Sequence, residues 1–522
     1  MRSGKAALVF LGLIAVAAGL VHVAAPVSPF DDAFITFRYV DNLLGGKGLV
    51  YNPGERVFGI SSPLYAAWLA MDGAALPSIP LPSLAVRGNL VFLLAAAALA
   101  HLLLRRLGFS ATMSALAAGG VLVSEGILRA SLGGMESPMF LALAFGSLLA
   151  SAGGRDTAAV TLASLSALAR PEGLILLLVV AAPALRARGR RRFPWSLLGI
   201  LPLLAWLGAA GFYYGSVIPE SVIAKARPLY PFPAGAAFGH LASQMGRWTF
   251  DAASAAAGRQ PPRILYQTAG LALTAWALWR WRRTPDGNSA RARALALPAW
   301  LLLTVVFYAL TNPLLLPWYI PLIQAPWIVV VLAATGGPRR NLASRLFSRA
   351  AAALILSTAL ASFVYAVIPS GRSLLRYGAT DQRQSGQMAA YVRTSLWLRQ
   401  NTGPDESIAA AEIGVLGYQL PRRILDACGL VTPGALPFIP VPPDQRGSQL
   451  GSFSVQFVRA ARPDLVVFLP AFAERSLLRS DWFASEYALV HEEEFLPDEP
   501  RFRAVQVFRK RRAVVGYGRM RP

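Results

Sequence analysis

Long apolar runs recur through the first two thirds of the chain, and they decide what kind of solvent it folds in. A helix needs roughly 17–25 apolar residues to cross a hydrocarbon core of about 30 Å. Runs of that kind fall near residues 6–25, 86–104, 111–128, 137–152, 196–214, 263–281, 294–311, 317–334 and 350–368. A shorter pair, 157–169 and 172–185, is hinged at Arg170-Pro171-Glu172-Gly173. Together these runs predict about eleven crossings. The stretch 61–76 is apolar but short and bounded by prolines, which suits an interfacial or re-entrant helix. With 55% hydrophobic and only 15% charged residues among 522, and a mean hydropathy of +0.47, the chain is too apolar for a soluble enzyme.

The formal net charge of +23 would suit a nucleic-acid partner if the arginines were spread over one surface. They cluster instead in alternate loops: Arg105-Arg106, Arg155, Arg186 to Arg192, Arg280 to Arg293 and Arg339 to Arg349. Alternation of this kind marks the cytoplasmic side and gives the basic loops anionic lipid, not nucleic acid, as their partner. The loop that follows the first span, Glu136, the Arg170–Glu172 hinge, Glu220 to Arg227 and everything after Ile368 then face outward. The protein is expected in the plasma membrane as a multi-pass chain with an extracytoplasmic C-terminal part. Arg2 and Lys5 ahead of the first apolar run, with Val23-Ala24-Ala25 behind it, are read as an uncleaved first helix. Cys428 is the only cysteine, which excludes an intramolecular disulfide and a cysteine metal site. His22, His101, His240 and His491 are scattered without ligand spacing, so neither a metal nor another cofactor is expected.

From Pro369 the long apolar runs give way to short alternating ones. Ser407 to Glu412, Arg423 to Asp426 and Asp464 to Phe468 read as short buried strands, and Met388 to Asn401 as a helix. Later strands are expected near Tyr487 to His491 and Arg503 to Phe508, ahead of a frayed basic tail from Arg509. The expected fold is mainly α: a polytopic helical bundle over 1–368, with its first external loop at 26–85, followed by an extracytoplasmic α/β domain over 369–522.

Two adjacent carboxylates, Asp31 and Asp32, open the segment Asp31-Asp32-Ala33-Phe34-Ile35-Thr36-Phe37-Arg38-Tyr39 just outside the first span. Side by side they disfavour each other's ionisation, so one can accept a proton as a general base. On a helix, Asp31, Ile35 and Arg38 fall near one face, which brings a guanidinium toward the acid pair. A fork-shaped cation beside carboxylates suits a phosphate that departs while a sugar is transferred. A surface helix with an N-terminal Asp and an arginine for support accounts for the same residues.

The loop continues Gly45-Gly46-Lys47-Gly48-Leu49-Val50-Tyr51-Asn52-Pro53-Gly54-Glu55-Arg56 and Ser61-Ser62-Pro63-Leu64. Here the chain resembles the GT-C superfamily of polyprenyl-phosphate-sugar-dependent glycosyltransferases, closest to the branch containing the actinobacterial terminal arabinofuranosyltransferase. Further segments similar to that branch are Gly134-Met135-Glu136-Ser137-Pro138, Ala169-Arg170-Pro171-Glu172-Gly173, Tyr213-Tyr214-Gly215-Ser216 through Pro219, Ala224-Lys225, Pro317-Trp318-Tyr319, and Glu412-Ile413-Gly414 to Asp426 and Gly429-Leu430. Phe58-Gly59-Ile60 and Glu220 depart from it, standing where a Glu-Gly-Tyr-like triplet and an Asn are expected.

The resemblance implies a polyprenyl-phosphate-linked sugar donor, a cell-envelope glycan, lipid or protein acceptor, and an inverting transfer. Asp31 would be the first choice for the base, with Asp32 orienting the sugar or sharing that role. Arg38, Arg170 and Lys225 would meet the leaving phosphate, and Glu136, Glu172, Tyr214 and Trp318 would complete the donor site. Several of these residues admit a second reading. Arg170 and Glu172 can simply pair and brace the hinge, Glu136 can cap the helix after it, and at least two of Tyr213, Tyr214, Trp318 and Tyr319 are read as interfacial belt aromatics. Two other classes remain for the whole chain: a transporter or flippase for a lipid-linked sugar, and a noncatalytic membrane scaffold that binds glycan.

Overall fold

Apolar helices dominate the first of two compact units, formed by Met1–Gly45, Ile60–Val217 and Phe232–Gly378. The computed structural model describes residues 2–24, 29–186, 195–227, 233–256, 261–282, 293–336, 342–367, 377–446, 453–496 and 498–511. The arginine run after 186, the basic group between 283 and 292, the boundary expected at 368/369 and residues 512–522 lie outside the described residues, while Arg509 and Lys510, expected in a frayed tail, are instead paired as the end of a strand over Ala504–Lys510.

Among the described residues, three helices are long and apolar enough to cross a membrane: Lys5–Val23, Leu81–Arg106 and Trp195–Tyr214. A fourth crossing arises if Ala111–Val123 and Glu125–Leu132 count as one span. That run is bent by 49°, because Ser124 adopts an extended backbone and turns its hydroxyl onto the Gly120 carbonyl at 2.5 Å. Several other runs hold shorter helices, among them Ser137–Ala152, Asp156–Ala169, Ala296–Thr311 and Pro321–Thr335. Sixteen residues rise about 24 Å, less than the hydrocarbon thickness. Among the described residues, helix length and composition alone mark three or four crossings, and the expected count of about eleven is not confirmed.

Pro321–Thr335 is buried along its whole length, which explains why its sequence is apolar all round. It packs against Ala111–Val123, Arg263–Trp281 and Ala296–Thr311. Helix Ala236–Ala256, which the hydropathy pattern does not announce, packs on Arg263–Trp281 and Leu342–Val367. Two glycines let it approach closely: a Cβ on Gly246 would stand 2.1 Å from the Tyr266 carbonyl oxygen, and one on Gly270 would stand 2.5 Å from the Gly246 nitrogen.

The Arg170 hinge has a local cause. A residue before proline is pushed out of the helical region, so Asp156–Ala169 ends where Arg170 turns extended, at φ −154° and ψ 140°. The turn closes through Gly173 N–H on the Arg170 carbonyl at 2.9 Å, and Gly173–Arg186 follows. A Cβ on Gly173 would sit 2.3 Å from the backbone nitrogen of Ala167, in the last turn of the preceding helix. Gly173→Ala is expected to cost about 1–3 kcal/mol by overpacking. Gly12→Ala, where an added Cβ meets nothing within 4 Å, should leave the thermal unfolding midpoint of the purified protein unchanged within a degree or so. Equal midpoints for both variants would remove this reading of the hinge.

The second unit comprises Gly46–Gly59, Ile218–Pro231 and Ala379–Pro522. Its sheet has five strands, β1 (Ile408–Ala410), β2 (Ile424–Asp426), β3 (Leu465–Phe468), β4 (Tyr487–Glu494) and β5 (Ala504–Lys510), in the order β2-β1-β3-β5-β4. β1 pairs parallel with β2 and β3, whereas β5 runs antiparallel to both β3 and β4. Every residue of β1, β2 and β3 is buried, as their unbroken apolar runs require. The free edge of β2 is covered by Asn52, whose amide donates to the Ile424 carbonyl at 2.9 Å and accepts from the Ile424 N–H at 3.0 Å. Glu55 pairs with Arg423 at 2.6 Å, and the Tyr51 hydroxyl donates to the Ile413 carbonyl at 2.6 Å. The Tyr51-Asn52-Pro53-Gly54-Glu55 segment is thus part of the folded structure of this unit.

Candidate active site

Arg170 is the centre of a buried polar network in the helical unit. Its side chain is 6% exposed, and those of Glu136 and Glu172 are 9% and 7%. One terminal nitrogen pairs with Glu136, while Nε and the other terminal nitrogen fork onto Glu172 at 3.3 and 3.1 Å. The Tyr308 hydroxyl donates to Glu172 at 2.7 Å, and the Tyr319 ring lies 5.0 Å from the guanidinium carbon. Charge-assisted, forked bonds of this kind are the strong ones, and each partner left alone would be a costly buried ion. The sequence leaves open whether Arg170 and Glu172 pair; in the structure they do, and Glu136 joins them from 34 residues away.

Glu136 hangs on the turn that also fixes the acid pair. Phe30, immediately before Asp31, donates its N–H to the Gly133 carbonyl at 3.0 Å and packs its ring 5.3 Å from Trp318 and 5.9 Å from the Arg129 guanidinium. Gly133 has no alternative, since a Cβ there would stand 2.3 Å from the Phe30 ring. Gly134 follows at φ +69°, turning the chain toward Glu136, and the Ser137 hydroxyl donates to the Trp318 carbonyl at 2.9 Å. Helix Asp31–Leu44 starts from this anchor with both carboxylates in its first turn, where the positive end of the helix dipole favours them. Asp31 and Asp32 are half-buried and Arg38 is buried. Seven residues apart, Asp31 and Arg38 share a helix face about 10 Å along its axis.

A second tier supports the same turn and was not anticipated from the sequence. Asn89 donates to the carbonyls of Ser131 and Met135 at 3.0 and 2.9 Å, and the Tyr65 hydroxyl donates to the Gly134 carbonyl at 3.0 Å. His22 bonds the Ser131 hydroxyl at 2.7 Å. The available signal was a polar residue inside an apolar run, Asn89 at 86–104 and Tyr308 at 294–311, since such groups are costly unless they are paired.

Tyr214 is half-buried at the end of helix Leu201–Tyr214, its ring edge-on to Tyr213 at 4.7 Å. Lys225 lies in the second unit, exposed on the short helix Glu220–Ala226. The two departures from the family pattern meet there: the Glu220 N–H donates to the Phe58 carbonyl at 2.6 Å. Burial pushes the Glu220 carboxyl up from its usual range, and the Arg227 charge opposes that shift. Asp426, fully buried at the end of β2, is structural, accepting from the backbone N–H groups of Cys428, Leu430 and Val431 at 2.8, 2.5 and 3.2 Å. Among the described residues no three His, Cys, Asp or Glu side chains are grouped as metal ligands.

Residues 377–515 match a family described as a domain of unknown function, DUF8728. No curated protein sequence matches the chain. Among solved structures, ArnT from Cupriavidus metallidurans bound to undecaprenyl phosphate is similar at a TM-score of 0.54 and 12% identity, over 96% of this chain and 97% of that one. The apo state of ArnT gives 0.52 and 14%, over 97% and 98%. At such identities the likeness is one of fold, and it spans both chains almost end to end.

Proposed function

We propose that this chain is a membrane glycosyltransferase that moves a sugar from a polyprenyl-phosphate donor to an extracytoplasmic acceptor. The observation that carries the reading is the acid pair at a helix start, tied through Phe30 and the Gly133–Ser137 turn to the Arg170 network. Support comes from the fold likeness to a protein bound to undecaprenyl phosphate. In this reading Asp31 removes the proton of the acceptor hydroxyl, that oxygen forms the new bond to the anomeric carbon from the face opposite the phosphate, and polyprenyl phosphate leaves with the bonding pair, inverting the centre. Asp32 orients the sugar or shares the base's role. Arg38 and Lys225 answer the charge that grows on the leaving phosphate. Arg170, gripped by Glu136 and Glu172, sets the geometry of the turn beside the donor, and Trp318 and Tyr214 supply aromatic surface to it.

The finer reading follows the sequence resemblance: the actinobacterial terminal arabinofuranosyltransferase branch, an arabinofuranose donor, and a cell-envelope acceptor. Incubating membranes with radiolabelled polyprenyl-phosphate sugars and identifying the labelled product tests both levels. Label in a glycan, lipid or protein supports transfer, and its sugar assigns the branch. Label that crosses the membrane still attached to polyprenyl phosphate would favour a flippase instead.

Topology gives a separate check. The acid-pair loop and everything beyond Ile368 are expected outside, with Arg186 to Arg192 inside. Single cysteines placed in a variant lacking Cys428 and labelled on intact cells with an impermeant thiol reagent should react in the first two regions only. Labelling at 186–192 would overturn the orientation.

A further inference from the structure

A lateral cavity of about 890 Å³ opens in the helical unit between helices Pro63–Ala75, Leu81–Arg106, Ser137–Ala152 and Asp156–Ala169. Its walls are almost wholly apolar, from Trp68 and Met139 at one end through Leu99 and Leu162 to Leu149. The far end is different, since Arg106 and Arg155 both line it and both are exposed. Neither guanidinium has a protein partner among the described residues. Asp156, the nearby carboxylate, is already taken by Arg293 at 3.2 Å, and Arg293 also donates to the Ser151 carbonyl at 2.7 Å. Among the described residues, the mouth of the groove thus carries two positive charges without an ion-pair partner, at the end of an apolar channel. From Met139 to Gly153 the channel follows fourteen residues of helix, about 21 Å, longer than one leaflet's half of a hydrocarbon core of about 30 Å.

We propose that this groove binds one anionic phospholipid, its phosphate on Arg106 and Arg155 and an acyl chain along the wall from Leu149 toward Trp68. An apolar channel alone would accept any lipid tail. The arginine pair at its mouth selects the head-group charge, and the Asp156 carboxylate that would repel an anion is neutralised by Arg293. A free anion would not need the apolar wall, and a peptide would leave its backbone groups unsatisfied against it. The proposal is independent of the glycosyltransfer reading.

The test is native mass spectrometry of the purified full chain in detergent micelles, titrated with phosphatidylglycerol or with phosphatidylcholine of the same acyl chains. The protein should retain phosphatidylglycerol preferentially. R106Q/R155Q should lose that preference, by roughly 5-fold for each arginine. R105Q should keep it, because Arg105 is exposed in the same last helical turn, lies outside the groove and donates to the Phe109 carbonyl. Ala158→Trp, at an exposed lining position, should lower occupancy of both lipids. Equal retention of the two lipids by the parent protein, an undiminished preference in R106Q/R155Q, the same loss in R105Q, or unaltered occupancy in A158W would each overturn the site.

Discussion

Asp31→Asn is expected to lower the rate of sugar transfer on the order of 10²–10⁴-fold, while the protein folds and binds donor as before. The amide keeps the shape of the carboxylate but lacks the oxygen that accepts a proton. It also leaves in place the anchor ahead of it, because Phe30 holds to Gly133 through its backbone and to Trp318 through its ring. Asp32→Asn should reduce turnover less or raise the donor KM. Arg38→Lys should slow turnover because one ammonium does not reproduce the fork of a guanidinium. Turnover of a polyprenyl-phosphate sugar by each purified variant, with folding checked by thermal unfolding, separates these outcomes. Transfer at the parental rate by Asp31→Asn would take Asp31 out of the mechanism and favour a scaffold or transporter.

The parts of the fold legible in the sequence were those with a local signature. The strands near 408, 424 and 465 stand out as short buried apolar runs between polar breaks, and the structure has them at Ile408–Ala410, Ile424–Asp426 and Leu465–Phe468. Pro171 announces the end of the helix before it. Helix Ala236–Ala256 escaped because His240, Gln244, Arg247 and Asp251 interrupt its apolar pattern, and its stability comes from a glycine-lined crossing with Arg263–Trp281 rather than from its own hydropathy. Long-range partnerships were the least legible. No local rule pairs Asn52 with Ile424, 372 residues away, or places Phe58 against Glu220.

The candidate site divides in the same way. Arg170 and Glu172 sit on one hinge, so a two-residue pairing could be entertained from spacing. The third partner, Glu136, and the hydroxyl of Tyr308 come from other helices and follow only from packing. The cost of burying three ions is offset by their mutual pairing, and that interdependence makes the network sensitive to the loss of any one member.

Arg170→Met is accordingly expected to destabilise the protein by about 3–5 kcal/mol, because it strands Glu136 and Glu172 as uncompensated buried carboxylates. Arg170→Lys should fall between Met and the parent, keeping the charge without the fork that meets Glu172 at 3.1 and 3.3 Å. Glu172→Gln removes one ion yet leaves an amide oxygen for the Tyr308 hydroxyl, so its loss should be nearer 1–3 kcal/mol. The decisive variant is R170M/E136Q/E172Q, which removes the buried charges together. Thermal unfolding in detergent should show it recovering most of the stability lost in Arg170→Met. If Arg170 acts only as a brace, transfer activity should recover alongside stability, with donor KM near the parental value. If the guanidinium or either carboxylate also meets the donor, stability will return while donor KM stays high and turnover low. A triple variant no more stable than Arg170→Met would show that stranded charge is not the source of the loss, and the network would no longer account for the sensitivity of this turn.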